Sequence, residues 1–344
     1  MRNNKSRKIL VTGGCGYIGS HTIIELIRKG GYEVISIDNL SNSNLDTIDR
    51  IYKITGTKVK NYVLDLRDYE ASKKVFMENP DLIGVVNFAA LKSVPESVSN
   101  PLYYYDNNIN SLINILKCCE EFKVKAHIFS SSCSVYGNVK TLPVTEDTPL
   151  SDAESPYAHT KQIGEAILQN FSKNSALNTI ALRYFNPVGA DSTGLIGESP
   201  KNRPNNLVPV ITQTAVGMIE KMHVFGSDYK TRDGSCIRDY IHVSDIAIAH
   251  IKALDYVLED KNINNFEIFN LGSGEGITVL EAIKAFEKIS GVKLKYEIVG
   301  RRAGDVESIY SNCYKAESLL GWKPKYNIEQ MMQTAWKWQQ NLIG

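Results

Sequence analysis

The chain has 344 residues, with 39 Lys+Arg against 38 Asp+Glu and a formal net charge of +1. It therefore lacks the basic excess of a dedicated nucleic-acid or anionic-membrane binder. Apolar residues make up 43% and charged residues 22%, which fills a core and excludes global disorder, while no run approaches the roughly 18 apolar residues of a membrane span.

The polar start, Met1–Lys8, runs straight into a strand and does not read as a secretory signal. Lys8–Thr12 is the first predicted strand, followed at once by Thr12-Gly13-Gly14-Cys15-Gly16-Tyr17-Ile18-Gly19 and a helical pattern. Glycines at 13, 16 and 19 let the backbone turn tightly, approach a pyrophosphate and pack the helix on the sheet, and the helix N-terminus offers N–H groups to phosphate. Val34–Asp38 is the second strand, and Asp38 lies 19 residues past Gly19. A carboxylate there hydrogen-bonds a ribose 2′-hydroxyl and repels a 2′-phosphate, favouring NAD over NADP. Lys60–Leu66 and Gly84–Ala90 read as the third and fourth strands. Asp65 and Leu66 would end the third and face the adenine; Phe88, Ala89, Ala90, Leu91 and Lys92 would end the fourth, with alanines small enough for close approach. Pro101–Phe122 is a helix that places Leu102, Tyr105, Ile109, Leu112, Leu116 and Cys119 on one face.

Ala126–Ser132 is the fifth strand and leads into Ser130-Ser131-Ser132-Cys133-Ser134-Val135-Tyr136-Gly137. Ser132 emerges where the sheet ends, and its hydroxyl can donate and accept at once. Ser155-Pro156-Tyr157-Ala158-His159-Thr160-Lys161 opens a helix with an N-cap serine and a proline in the first turn. Tyr157 and Lys161 share a face four residues apart, where an ammonium would draw the phenol down from about 10 toward a useful range. His159 points elsewhere. Alternation of strand and helix to about residue 180 predicts an α/β, Rossmann-type doubly wound parallel sheet.

Thr179–Phe185 leads into a loop-rich stretch, Asn186–Asn206, and Phe266–Leu271 is a further strand. Thr278 and Glu281 form a capping box that opens a helix ended by Gly291, and Ile328–Leu342 has helical spacing. The division expected is 1–180 for cofactor binding and 181–344 mainly for substrate, as a smaller mixed α/β domain with some segments crossing back. Cysteines at 15, 118, 119, 133, 236 and 313 show no CxxC pair or zinc spacing, so they read as buried hydrophobes in a reducing cytosol, with no metal.

Together these motifs resemble the extended short-chain dehydrogenase/reductases, and most closely their UDP-glucose (UDP-galactose) 4-epimerase branch, over nearly the whole chain. The resemblance rests on Thr12–Thr22, Asp38–Ser43, Phe88–Ser97, Tyr104–Asn108, Ser130–Gly137, Ser155–Lys161, Arg183–Gly189, Asn205–Pro209, Val224–Tyr229, Arg238–Val243, Asn270–Gly274 and Arg301–Asp305, with Leu320-Gly321-Trp322. It implies reversible 4-epimerisation of UDP-glucose and UDP-galactose through a 4-keto sugar, with Ser132, Tyr157 and Lys161 catalytic. It implies NAD contacts from Gly13, Gly16, Tyr17, Ile18, Gly19, Asp38, Asn39, Leu40, Ser41, Asn42, Ser43, Asp65, Leu66, Phe88, Ala89, Ala90, Lys92, Asn107 and Tyr184 as well as the catalytic three. For the UDP-sugar it implies Lys92, Ser132, Tyr157, Phe185, Asn186, Asn206, Leu207, Val224, Phe225, Tyr240 and Asp305, a diphosphate clamp of Arg238 and Arg302, and Ile309 beside the sugar's 2-substituent. A cytoplasmic homodimer through Pro101–Phe122 and Pro156–Lys173 is also implied.

Ala90 and Pro95 stand where glycine is frequent in that branch, and Cys133 where alanine is. UDP-N-acetylhexosamine or UDP-pentose epimerisation is the nearest alternative. A nucleotide-sugar dehydratase would need Asp-Glu after the serine at the fifth strand, where this chain has Cys133 and Ser134. A non-enzymatic NAD sensor would be expected to lose Tyr157 or Lys161.

Overall fold

The computed structural model describes residues 6–201, 204–302 and 305–343. Most of the polar leader and the Ala303-Gly304 pair between Arg302 and Asp305 thus lie outside the described residues. The chain begins β1 (Arg7–Thr12), α1 (Tyr17–Lys29), β2 (Tyr32–Ile37), α2 (Asp46–Thr55), β3 (Lys60–Tyr62), α3 (Tyr69–Glu78) and β4 (Leu82–Asn87). It continues through α4 (Val94–Ser99), α5 (Pro101–Glu121), β5 (Ala126–Ser132), a 3-10 turn (Cys133–Tyr136), α6 (Pro156–Phe171) and β6 (Asn178–Tyr184). Then come β7 (Asn186–Val188), α7 (Leu207–Ala215), β8 (Met222–Phe225), β9 (Ile237–His242), α8 (Val243–Leu258), β10 (Phe266–Leu271) and β11 (Gly276–Thr278). The last elements are α9 (Val279–Ser290), β12 (Tyr296–Val299), β13 (Ser308–Ile309), α10 (Tyr314–Leu320) and α11 (Ile328–Ile343).

Seven strands form one parallel sheet in the order β10-β6-β5-β4-β1-β2-β3. Their Ile, Val and Leu side chains are buried on both faces because helices cover both. One core joins α1, α2, α8 and α10 through Ile23, Ile51, Leu254 and Leu320; the other joins α3, α5 and α6 through Phe76, Leu112 and Leu168. The order reverses between β1 and β4, which fixes the crevice at their C-terminal ends as the ligand site of such a sheet. A third core gathers α7, α9 and α11 around Ile211, Phe286 and Met332. Beside it lie the small sheet β11-β9-β13, with β7 on β9, and the ribbon β12-β8. The capping box at Thr278 and Glu281 is formed, with Gly291 left-handed at the far end.

Three expectations change, the first being the fourth strand, which ends at Asn87 and leaves Phe88–Lys92 in the loop beyond it. The third strand ends at Tyr62 and not at Leu66: β3 is an edge strand paired with β2 over three residues, and Asp65 turns the chain by accepting from the Arg67 N–H at 2.9 Å. In α5, Leu102 is 80% exposed. The buried stripe begins instead at Tyr104, whose hydroxyl meets Glu96 of α4 at 2.7 Å.

Candidate active site

The dinucleotide crevice is built by close backbone approach. Gly13 has φ +68°, and a Cβ on it would lie 2.9 Å from the Ala89 nitrogen, so only glycine lets β1 turn against the chain leaving β4. Gly19 is likewise closed by the Gly13 carbonyl, 2.2 Å from where a Cβ would stand. The first turn of α1 has neither a side-chain cap nor an acidic residue, which leaves its N–H groups for an anion. Thr12 donates to Asn87 Oδ1 at 2.5 Å across the switch point, and the Ala89 N–H donates back to Thr12 Oγ1 at 3.3 Å.

Asp38, just past β2, accepts from the Cys15 N–H at 3.0 Å, the Leu40 N–H at 2.9 Å and the Ser43 hydroxyl at 2.6 Å. A carboxylate has about four acceptor positions, so room for a ribose hydroxyl remains. Asn39 and Ser41 close their own small turn at 3.0 Å, and Lys201 reaches from the second half to the Leu40 carbonyl at 2.8 Å. Tyr17 opens α1, and its hydroxyl donates to the Gly189 carbonyl at 2.6 Å. Asp65 is committed to Arg67, whose guanidinium holds its carboxyl below the usual range, and Leu66 is buried in the core. Phe88 packs on His250 with centroids 4.5 Å apart. Asn107 donates to Asn108 at 3.0 Å. Asn108, unnoticed in the sequence, clamps the loop holding Ala90 and Lys92: it exchanges bonds with the Leu91 backbone at 2.8 and 3.0 Å and reaches Thr160 of α6 at 3.1 Å.

Ser132, Tyr157 and Lys161 converge at the ends of β5 and α6. Ser155 caps α6 by accepting from the Ala158 N–H at 3.2 Å, which fixes the helix start. Lys161 is buried, donates to the Ser130 carbonyl at 2.6 Å and lies 5.9 Å from the Tyr157 ring centroid. Burial pushes the Tyr157 phenol up to about 12, partly offset by a hydrogen bond from Ser132. Burial also pulls Lys161 down to about 8, against the opposing charge of Glu165. The expected lowering of the phenol is therefore not what the structure gives, because desolvation is the largest cause acting on each group, upward for the phenol and downward for the ammonium. Tyr184, at the end of β6, bonds Ser130, and His159 turns away to Tyr105 of α5 at 2.8 Å.

A cavity of about 510 Å³ is lined by Asn186, Asn206, Leu207, Phe225, Arg238, Tyr240, Arg302 and Asp305, together with Pro95 and His223; Asn186 lies two residues past Tyr184, which pairs with Ser132 in the large sheet. Arg238 and Arg302 both converge on Asp305, at 3.3 and 2.8 Å. Asp239, next along β9, has a buried carboxylate that accepts from the Ser273 and Ser311 hydroxyls, each at 2.7 Å. Val224 does not line the cavity: β8 alternates, so Val224 enters the core while His223 and Phe225 face outward. Phe185 and Ile309 are buried together with Val135, Tyr136 and Val144, a cluster that Cys133 packs against. Lys92 is held by Glu198 at 3.1 Å.

A nucleotide-binding crevice at a switch point, a Tyr–Lys pair with its serine, and an adjoining two-arginine cavity define a dinucleotide-dependent enzyme of the extended short-chain dehydrogenase/reductase class. The chain belongs to the family described as GDP-mannose 4,6 dehydratase, which it matches over residues 10–335. Within that family it is similar to the UDP-glucose 4-epimerase of Bacillus subtilis, 46% identical over 98% of each chain. The crystal structure of UDP-glucose 4-epimerase from Bifidobacterium longum in complex with NAD+ and UDP has a TM-score of 0.92 at 44% identity, covering 97% of this chain and 98% of that one. The Stenotrophomonas maltophila UDP-glucose-4-epimerase, solved with NAD and formylated UDP-arabinopyranose, has a TM-score of 0.94 at 41% identity, covering 98% and 99%.

Proposed function

We propose that this chain is an NAD-dependent UDP-glucose 4-epimerase, interconverting UDP-glucose and UDP-galactose. The observation that supports the reading is that Ser132, Tyr157 and Lys161 meet at the ends of β5 and α6, while a cavity lined by Arg238 and Arg302 reaches Asn186, just past the β6 partner of Ser132. Tyr157 takes the proton of the sugar 4-hydroxyl, with Ser132 sharing that hydrogen bond and Lys161 supplying positive charge beside the phenolate. NAD bound in the crevice supplies the acceptor for the C4 hydride and the means of its return. The 4-keto sugar turns about the diphosphate link before the proton goes back. Arg238 and Arg302 suit that turn, since grip on the diphosphate and nucleotide leaves the sugar free. Elimination of water is disfavoured, because Cys133 and Ser134 stand where a dehydratase carries its acid pair.

UDP-glucose and UDP-galactose are the proposed preferred pair, with UDP-N-acetyl sugars poorer. The proposed division is a cofactor domain to residue 180 and a substrate domain beyond it, with β10 and α8 returning to the large sheet. A homodimer through α5 and α6 is proposed, supported by the side-by-side packing of those helices and the exposure of Leu102 and Tyr103. A cytoplasmic site accords with six free cysteines, and among the described residues no helix is long and apolar enough to cross a membrane.

The test is to incubate purified protein with UDP-galactose and no added cofactor. UDP-glucose should form, and denaturation should release about one NAD(H) per chain. Protein isolated without cofactor and dependent on added NADP, or a 4-keto-6-deoxy product, would overturn the reading.

A further inference from the structure

Glu198, in the loop between β7 and α7, has no part in the reaction as derived above, yet it joins two residues that do. Its side chain is 12% exposed. One oxygen, Oε1, accepts from Lys92 Nζ at 3.1 Å and from Asn206 Nδ2 at 2.7 Å. Lys92 belongs to the loop leaving β4 on the cofactor side, and Asn206 begins α7 on the wall of the substrate cavity. The backbone at Glu198 is itself fixed. Trp338 of α11 donates its indole N–H to the Glu198 carbonyl at 2.9 Å. A Cβ on the preceding Gly197 would stand only 2.5 Å from the same indole, so the loop cannot be shifted without moving α11. Glu198 also faces the start of α1, where its charge opposes ionisation of Tyr17.

A carboxylate beside a place meant for diphosphates is electrostatically unfavourable to the ligand. Its presence needs a compensating role, and the geometry supplies one. Lysine carries a point charge on a flexible stem, and unpaired it would sample many positions along the crevice mouth. Paired to Glu198, it is held at a fixed distance from Asn206. We propose that Glu198 is a positioning residue: its carboxylate ties Lys92 to Asn206 and so keeps the cofactor side and the sugar-nucleotide side in register for the proton and hydride positions. It touches no reacting atom. The proposal rests on the epimerase reading above.

Glu198→Gln keeps an oxygen for Asn206 and removes the ion pair with Lys92. A displaced reactant costs rate more than affinity, of order tenfold to a hundredfold for about 1 Å, whereas loss of a negative charge does not weaken binding of a diphosphate. The expected result is a fall in kcat of about tenfold or more with KM for UDP-galactose within threefold of wild type. Lys92→Met should lower kcat similarly, and the double variant should fall no further than the weaker single one, as coupled residues do. A kcat for Glu198→Gln within twofold of wild type, a rise in KM alone, or additive losses in the double variant would overturn the proposal. Should Glu198→Gln fail to fold, Lys92→Met, altered at a half-exposed side chain, carries the same kcat-against-KM test. Wild-type protein inert toward UDP-galactose would overturn the epimerase reading instead. The tie is then judged by UDP titration: equal shifts in both single variants with none added in the double support it, and independent shifts sink it.

Discussion

Tyr157 and Lys161 stand one helical turn apart on α6, the lysine buried and the tyrosine partly so, and each is driven toward its neutral form. The phenol rises to about 12 and the ammonium falls to about 8. Ser132 works against this trend, since its hydrogen bond favours the phenolate. Replacing Tyr157 by Phe removes a single oxygen and leaves the packing on α6 intact. The variant should keep its thermal midpoint within a few degrees and bind UDP normally, while epimerase turnover drops by about 10²–10⁴-fold, the usual worth of one proton-transfer group. Turnover within threefold of wild type, measured on UDP-galactose, would assign the proton to another residue. The i, i+4 relation of these two residues was legible in the sequence because helix geometry is local. The direction of their shifts was not, because burial comes from β5 and β6, far off in the chain. Asn108 and Glu198 were missed for a related reason: each acts by bridging segments, and nothing adjacent in sequence reveals the bridge.

At the scale of elements, the sequence pattern located strands and helices well where the periodicity ran long, as in β5, β10 and α9, whose predicted and observed limits coincide. It failed at short elements whose pairing is decided from outside. β3 stops after three residues because β2 offers it no more partners. The side-chain directions on β8 depend on which face meets the core, so Val224 and Phe225 could not be told apart beforehand. Ile309 shows the same limit. β13 is two residues long, with Ser308 paired to Ile237 and Ile309 to Arg238. Ile309 is buried in the cluster of Val135, Tyr136 and Phe185 and is not among the residues that line the cavity. It can therefore control the sugar's 2-substituent only by setting how far Phe185 and Cys133 stand back. Ile309→Ser should raise turnover of UDP-N-acetylgalactosamine relative to UDP-galactose, at a stability cost of roughly 2–4 kcal/mol for the emptied volume. Ile309→Tyr should suppress N-acetyl turnover and, by overpacking, destabilise by about 1–3 kcal/mol. Side-by-side kcat/KM on both sugars with urea unfolding checks both effects; an unchanged sugar ratio in both variants would remove Ile309 from the specificity argument.

The molecule as a whole carries an acid sensitivity that its near-neutral net charge conceals. Of its six histidines, His21, His127, His242 and His250 are each no more than 1% exposed. They lie on α1, β5, β9 and α8, so both the cofactor half and the substrate half contain them. Desolvation holds them down at about 4, 3, 3 and 4 respectively, from an ordinary 6.5. Neither ring nitrogen of His127 has a hydrogen-bond partner, so protonation there would leave a bare buried charge. The unfolded chain takes up these protons near pH 6.5, whereas the folded chain does so only near pH 3–4. The histidines therefore cost no stability above about pH 6.5, and their cost grows as the pH falls from there toward 4. Linkage sets the slope at roughly 1 kcal/mol per pH unit for each histidine at its steepest. Four acting together compete with a total stability of about 5–15 kcal/mol, so acid unfolding should set in near pH 5 and release cofactor in the same transition. Urea midpoints measured from pH 7 to pH 4.5, with released NAD(H) followed in parallel, should show this loss. His127→Leu, which replaces the unpartnered ring with an apolar side chain of similar volume, should flatten the slope by about a quarter, one of the four protons being withdrawn. A wild-type midpoint constant between pH 7 and 5, or a His127→Leu variant with the wild-type slope, would place the acid response in the carboxylates instead.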